Sequence, residues 1–153
     1  MKALVQRVSR ASVTVQGQTV ADIKQGLVVL VGVGKDDSET DAQYLSEKIT
    51  NLRIFSDDSG KFNLSLLDIN GEAIIVSQFT LFASTRKGRR PSFTDAALPE
   101  KAEPLVDSLA RFIGATGVNV QTGRFQQYML VEIHNDGPVT IMLDSQDRLK
   151  PRQ

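Results

Sequence analysis

Ala73-Ile74-Ile75-Val76-Ser77-Gln78-Phe79-Thr80-Leu81-Phe82-Ala83 is the stretch whose reading decides the fold. Ile74, Ile75 and Val76 form the continuous apolar run expected of a strand covered on both faces of a sheet. Ser77, Gln78 and Thr80 then interrupt that run while Phe79, Leu81 and Phe82 continue it. Two hydroxyls and an amide inside an apolar strand need partners or an open cleft, because leaving each unpaired costs ~1–3 kcal/mol. Two readings follow: a core strand whose polar groups bond to neighbouring backbone, or the wall of a binding site.

A second segment, Asn135-Asp136-Gly137-Pro138-Val139-Thr140, favours the site. With Ser77-Gln-Phe-Thr-Leu81 and Gly137-Pro-Val-Thr140 both unbroken, the chain closely resembles the D-aminoacyl-tRNA deacylases, whose signatures these are. The likeness extends to Gln6-Arg7-Val8, Arg90-Pro91-Ser92-Phe93 and Thr122-Gly123-Arg124-Phe125, and so spans nearly the whole chain.

Composition is consistent with one globular domain. The 153 residues are 41% hydrophobic and 24% charged, with zero formal net charge, values that allow a packed core without staples. The absence of cysteine excludes disulfides, a thiolate nucleophile and a cysteine zinc site, and one histidine, His134, cannot build a histidine-rich metal site. No metal or cofactor is expected. Met1-Lys2 leads straight into a strand-like segment, and no apolar run approaches the ~20 residues of a membrane span, so the expected location is cytoplasmic. With no net charge, any nucleic-acid contact must come from a local patch.

Outward from the central stretch, the expected class is mixed α/β, a single-domain, barrel-like sheet with two main helices. Residues 3–8 and 11–15 read as two strands, residues 19–23 as a third after a Gln16-Gly17-Gln18 turn, and Leu27–Val31 as a buried strand. Gly32-Val33-Gly34-Lys35 superficially suggests a phosphate loop, but the glycine spacing is wrong and Asp36 stands where a magnesium-binding hydroxyl belongs. Ser38 caps a helix over about 38–52, its stripe formed by Ala42, Leu45, Ile49 and Leu52. A short strand at 53–55 and a polar turn follow. Asn70-Gly71 reads as a hairpin turn into the central strand.

Pro99 suits a helix start, but Pro104 lies within the apolar stripe that ends at Gly114. A start near 103 is therefore favoured over a bend. Val118–Val120 reads as a strand. Met129, Val131 and Ile133 alternate with polar neighbours, Asn-Asp-Gly-Pro reverses the chain, and Val139, Ile141 and Leu143 return as a hairpin partner. Residues 1–145 form the expected catalytic domain, and 146–153 a polar, frayed tail.

Candidate chemistry is sparse. Arg86, Lys87, Arg89 and Arg90 surround Gly88 in one loop, which reads either as solvated surface or as a phosphate-binding loop for RNA. A Ser-His-acid relay from Ser77 or Thr80 with His134 and Asp136 fails, because the last two share one turn and no nucleophile elbow is present. What remains are hydroxyls, an amide and backbone N–H groups, which can stabilise an oxyanion but are poor bases.

The resemblance implies hydrolysis of the ester joining a D-amino acid, or glycine mischarged on tRNA-Ala, to the terminal adenosine of tRNA. It also implies that the attack is assisted by the ribose 2′-hydroxyl. It implies a pocket lined by Ser77, Gln78, Phe79 and Thr80, with Phe125 and Met129 around the adenosine. It further implies that Gly137-Pro138 is a cis dipeptide, braced by Arg7, that enters the pocket of the other subunit of a homodimer and acts as the chiral filter. Two alternatives stand beside it: a non-catalytic RNA-binding module, and a small-molecule esterase with Thr80 as nucleophile, for which the sequence offers no activating base.

Overall fold

Strand β6 (Glu72–Ser77) runs through the middle of the molecule in the computed structural model, which describes residues 1–153. Its side chains alternate between two cores. Ala73 and Ile75 face the larger one, shared with the helices, whereas Ile74 and Val76 face a smaller one enclosed by the curled sheet. That division accounts for the unbroken apolar run.

The remaining elements follow in chain order: β1 (Lys2–Val15), β2 (Gln18–Ile23), β3 (Gly26–Gly32), α1 (Glu39–Asn51), β4 (Phe55–Ser56) and β5 (Phe62–Leu64) precede β6. After it come a single 3-10 turn at Phe79–Phe82, then α2 (Pro99–Ala115), β7 (Asn119–Thr122) and β8 (Leu130–Asp144). The main sheet has the order β2-β1-β3-β6-β7, with β8 paired to β1. β3, β6 and β7 are mutually parallel, while β1 is antiparallel to β2, β3 and β8.

The sheet curls until β2 approaches β7. There the Asp22 N–H donates to Gln121 Oε1 at 2.8 Å, and Gln121 Nε2 donates to the Asp22 carbonyl at 2.8 Å. At the start of β3 the strands are so close that a Cβ on Gly26 would lie 1.8 Å from the Glu72 carbonyl oxygen. The expected mixed α/β, barrel-like core with two helices is the observed architecture.

Several local expectations are corrected. The two N-terminal strands are one 14-residue strand. β1 changes neighbours halfway, from β3 at residues 2–8 to β2 at 11–15, and the exposed Ser9 and Arg10 mark that exchange. The C-terminal hairpin does not exist, because β8 is one 15-residue strand paired along β1. β1 templates both halves, and Asp136 to Val139 bulge out between the pairs Val8–Asn135 and Gln6–Thr140.

Asn70-Gly71 is a turn, with Asn70 at φ 52°, but it feeds a strand paired in parallel and so closes no hairpin. β6 stops at Ser77 rather than continuing to Ala83, and the Gln78 N–H makes a last bond to the Val31 carbonyl at 2.7 Å. α2 begins at Pro99 and keeps Pro104 inside it. Glu100, whose carbonyl has no helical partner, and Pro104 are both exposed, so water can satisfy that carbonyl.

The tail is partly anchored. Ser145–Leu149 form a 3-10 turn, Ser145 is fully buried, and Arg148 pairs with the buried Asp41 at 3.5 Å. No helix is long and apolar enough to cross a membrane.

Candidate active site

The three parallel strands end on the same side of the molecule, the position where open α/β sheets form clefts. The chain leaving β3 supplies Val33. The chain leaving β6 supplies Ser77, Gln78 and Phe79, and the segment between β7 and β8 supplies Phe125 to Met129. The loop before α2 adds Phe93 and Ala96 to Leu98, and together these groups enclose a cleft of about 830 Å³.

Ser77 and Gln78 are half-buried, whereas Phe79 is 55% exposed. The Phe79 ring is held edge-on against Phe93, with centroids 5.0 Å apart at 73°. Thr80 lies in the 3-10 turn and is exposed outside the cleft wall, and its hydroxyl oxygen accepts from Gln78 Nε2. The polar part of the wall is therefore one hydroxyl and one amide at the end of β6. Gln126, Gln127 and Tyr128 supply the rest.

No carboxylate, imidazole, ammonium or guanidinium lines the cleft. The Thr80 hydroxyl has no base beside it. Its partner is an amide N–H, which donates and cannot remove a proton. His134 projects from β8 among exposed residues and is not part of the cleft.

The segment between β7 and β8 is fixed by its own contacts. Gln126 is left-handed at φ 61°, the Gln127 N–H donates to the Arg124 carbonyl at 3.2 Å, and the Arg124 N–H donates to Met129 Sδ at 3.3 Å. A Cβ on Gly123 would lie 2.7 Å from that sulfur. Glycine there allows Met129 to fold back into the cleft wall.

Arg7, Gly137 and Pro138 are brought together, but away from their own chain's cleft. Arg7 Nε donates to the Asp136 carbonyl at 2.9 Å and Nη1 to the Ile54 carbonyl at 2.8 Å. Its guanidinium lies 5.2 Å from the centre of the Phe62 ring. Asn135 closes the bulge: its Oδ1 accepts from the Val139 N–H at 2.9 Å, and its Nδ2 donates to Thr140 Oγ1 at 2.8 Å. Gly137-Pro138 is a cis peptide, and both residues are exposed at the crest of the bulge.

Arg86, Lys87, Arg89 and Arg90 are all exposed in a loop pinned at its base by paired backbone bonds between Ser84 and Ser92, at 2.7 and 2.9 Å. None of the four lines the cleft, although Phe93 at the end of that loop does.

Sequence reasoning missed Val33, Leu98 and Tyr128. Val33 and Leu98 look like ordinary core residues in sequence. Tyr128 carried a usable signal, an aromatic residue in a polar turn with no stripe to join.

The family model for D-Tyr-tRNA(Tyr) deacylase matches residues 4–144. A D-aminoacyl-tRNA deacylase of Dehalococcoides mccartyi strain 195 is 60% identical over 153 residues, covering 100% of both chains. One from Fervidobacterium nodosum is 58% identical, covering 95% of this chain and 97% of that one. Among solved structures, a c-Myc DNA unwinding element binding protein is 42% identical with a TM-score of 0.88, covering 94% and 98% of the two chains. A probable eukaryotic D-amino acid tRNA deacylase shares the fold at 17% identity, with a TM-score of 0.80 over 93% of this chain and 97% of that one.

Proposed function

Because this chain belongs to the D-Tyr-tRNA(Tyr) deacylase family of hydrolases, we propose that it hydrolyses the ester of D-aminoacyl-tRNA without a side-chain nucleophile: water adds to the carbonyl with the assistance of the terminal ribose 2′-hydroxyl, and the bond to the 3′-oxygen breaks as that oxygen takes up a proton. The observation that carries this reading is the chemistry of the cleft wall. It is built from apolar side chains, amides and the hydroxyls of Ser77 and Tyr128, with no charged or imidazole group. Such a wall binds and orients but has no means of generating an alkoxide. The substrate's 2′-hydroxyl is adjacent to the reacting carbonyl, so once the ribose is held in place it can orient the attacking water by hydrogen bonding.

Ser77, Gln78, Phe79 and Thr80 take complementary roles. The Gln78 amide and Phe79 backbone N–H lie nearest the ester and stabilise charge on its carbonyl oxygen. Thr80 holds the Gln78 amide, and Ser77 shapes the floor. Phe125 and Met129 enclose the adenine, where an aromatic face suits stacking. Arg86, Lys87, Arg89 and Arg90 contact the RNA backbone. A tRNA substrate places the enzyme in the cytoplasm, where tRNA is charged.

The functional unit is a homodimer. Gly137 and Pro138 stand on an exposed crest away from their own cleft, which suits insertion into the cleft of a second copy. Their carbonyls then receive the α-amino group, and an L side chain collides with the filter whatever its chemistry. Glycine has nothing to collide, so glycyl-tRNA is also a substrate. Incubation with matched D-, L- and glycyl-tRNA tests the reading: D- and glycyl-tRNA are deacylated and L-aminoacyl-tRNA persists. Binding without turnover would instead support an RNA-binding module, and turnover of free esters without RNA a small-molecule esterase.

A further inference from the structure

Tyr128 is 93% exposed, more than any other large hydrophobic side chain of the molecule. It nevertheless lines the cleft, together with Leu98, which is 72% exposed on the α2 side. Phe79, also exposed, has an aromatic partner in Phe93, whereas no aromatic or cationic group packs against the Tyr128 ring. Its backbone is well fixed, following the left-handed Gln126 and the Gln127–Arg124 turn bond. On that fixed backbone an unpartnered tyrosine ring has only two side-chain torsions to order when a flat ligand settles on it.

We propose that Tyr128 is the stacking platform for the penultimate nucleotide of the RNA 3′ end, forming a second nucleotide subsite on the lip of the cleft. The proposal rests on the reading that the cleft takes a tRNA terminus. Tyr128 lies between Phe125 and Met129, the residues assigned to the terminal adenine, so the next base outward meets this lip first. Leu98 offers the same base an apolar edge. Arg124, exposed in the same turn, supplies a cation for the phosphate between the two nucleotides. Stacking is largely indifferent to base identity, so the subsite recognises the presence of a base rather than a sequence.

The test compares a D-aminoacyl ester on adenosine alone with the same ester on a cytidylyl-adenosine dinucleotide, and on a dinucleotide whose first position lacks its base. For the wild type, kcat/KM on the complete dinucleotide should exceed that on adenosine by roughly 5- to 150-fold, the rate equivalent of one stacked base. The abasic dinucleotide should lose most of that advantage. Tyr128→Ala should reduce the ratio between complete and abasic dinucleotide to near one, and Tyr128→Phe should keep it. Equal rates on all three substrates in the wild type would overturn the proposal, as would a ratio that survives Tyr128→Ala. If the wild type cleaves neither these esters nor D-aminoacyl-tRNA, the deacylase reading itself fails.

Discussion

Arg7 Nε donates to the Asp136 carbonyl at 2.9 Å, tying the bulge that carries Gly137 and Pro138 to strand β1. The same guanidinium also holds the Ile54 carbonyl at 2.8 Å, so one side chain joins the candidate filter to the β4 segment. Arg7 is only 11% exposed. Arg7→Lys keeps the charge but loses the fork that reaches both carbonyls. The variant should lose about 1.5–3 kcal/mol of stability in urea unfolding and should discriminate less sharply between D- and L-aminoacyl-tRNA. Unchanged stability and discrimination would show that Arg7 neither holds the bulge in place nor tunes selection.

Gly137 has φ 134°, a conformation that L side chains rarely adopt, and a Cβ there would lie 2.9 Å from Val139 Cγ2 and 3.1 Å from Arg7 Nη2. Gly137→Ala should therefore cost about 1–3 kcal/mol of backbone strain. By displacing the filter, it should also lower kcat/KM on D-aminoacyl-tRNA by up to about 100-fold. Gly60 provides the control, since it also has positive φ but nothing lies within 4 Å of its added Cβ. Gly60→Ala should affect stability and leave discrimination unchanged.

The loop of Arg86, Lys87, Arg89 and Arg90 is exposed throughout. Replacing all four with Ala should weaken tRNA binding and flatten its salt dependence by about one unit of log–log slope for each phosphate no longer neutralised. The thermal midpoint should hardly change, because exposed charges contribute little to stability. A salt slope equal to that of the wild type would mark the loop as solvated surface.

Asp41 is buried, which pushes its carboxyl upward, but hydrogen bonds from Ser145 and the Ser38 backbone and the positive charges of the N-terminus and Arg148 outweigh this and leave it below the ordinary 3.8. A pKa depressed in the folded state contributes stability above the unfolded value, and that stability is lost as pH falls through the folded value. Urea midpoints should therefore decline below about pH 4, and less steeply in Asp41→Asn than in the wild type. Parallel declines would mean that the carboxylate is not a source of acid sensitivity.

The architecture was legible where the apolar pattern was strong. Ile74 to Val76 announced a strand buried on both faces, and the stripe from Ala42 to Leu52 announced α1. Two long strands were misread for a shared reason. Ser9-Arg10 interrupts the apolar pattern and Asn135-Asp-Gly-Pro carries the residues of chain reversal, but β1 and β8 template each other across those points, and pairing over the full length overrides the local signal. Nothing in the local sequence of Asn70-Gly71 distinguishes a hairpin turn from one that enters a parallel strand. The lining of the candidate cleft was legible at Ser77 to Phe79, Phe125 and Met129, where polar residues interrupt apolar runs or a motif is intact. Val33, Leu98 and Tyr128 were not, because lining a cleft depends on where three strand ends converge rather than on residue type.

The measurement that bears most directly on the mechanism is the deacylation rate of D-aminoacyl-tRNA carrying the ester on its 3′-hydroxyl, compared with the same tRNA ending in 2′-deoxyadenosine. Wild type and Thr80→Ala should be run in parallel. Removing the 2′-hydroxyl should slow cleavage by roughly 10²–10⁴-fold, the scale of a missing catalytic group. Thr80→Ala, which frees the Gln78 amide but removes no nucleophile, should still turn over the ordinary substrate at a measurable rate. Full activity on the deoxy-terminated tRNA, together with complete inactivity of folded Thr80→Ala, would contradict RNA-assisted cleavage and make Thr80 the nucleophile.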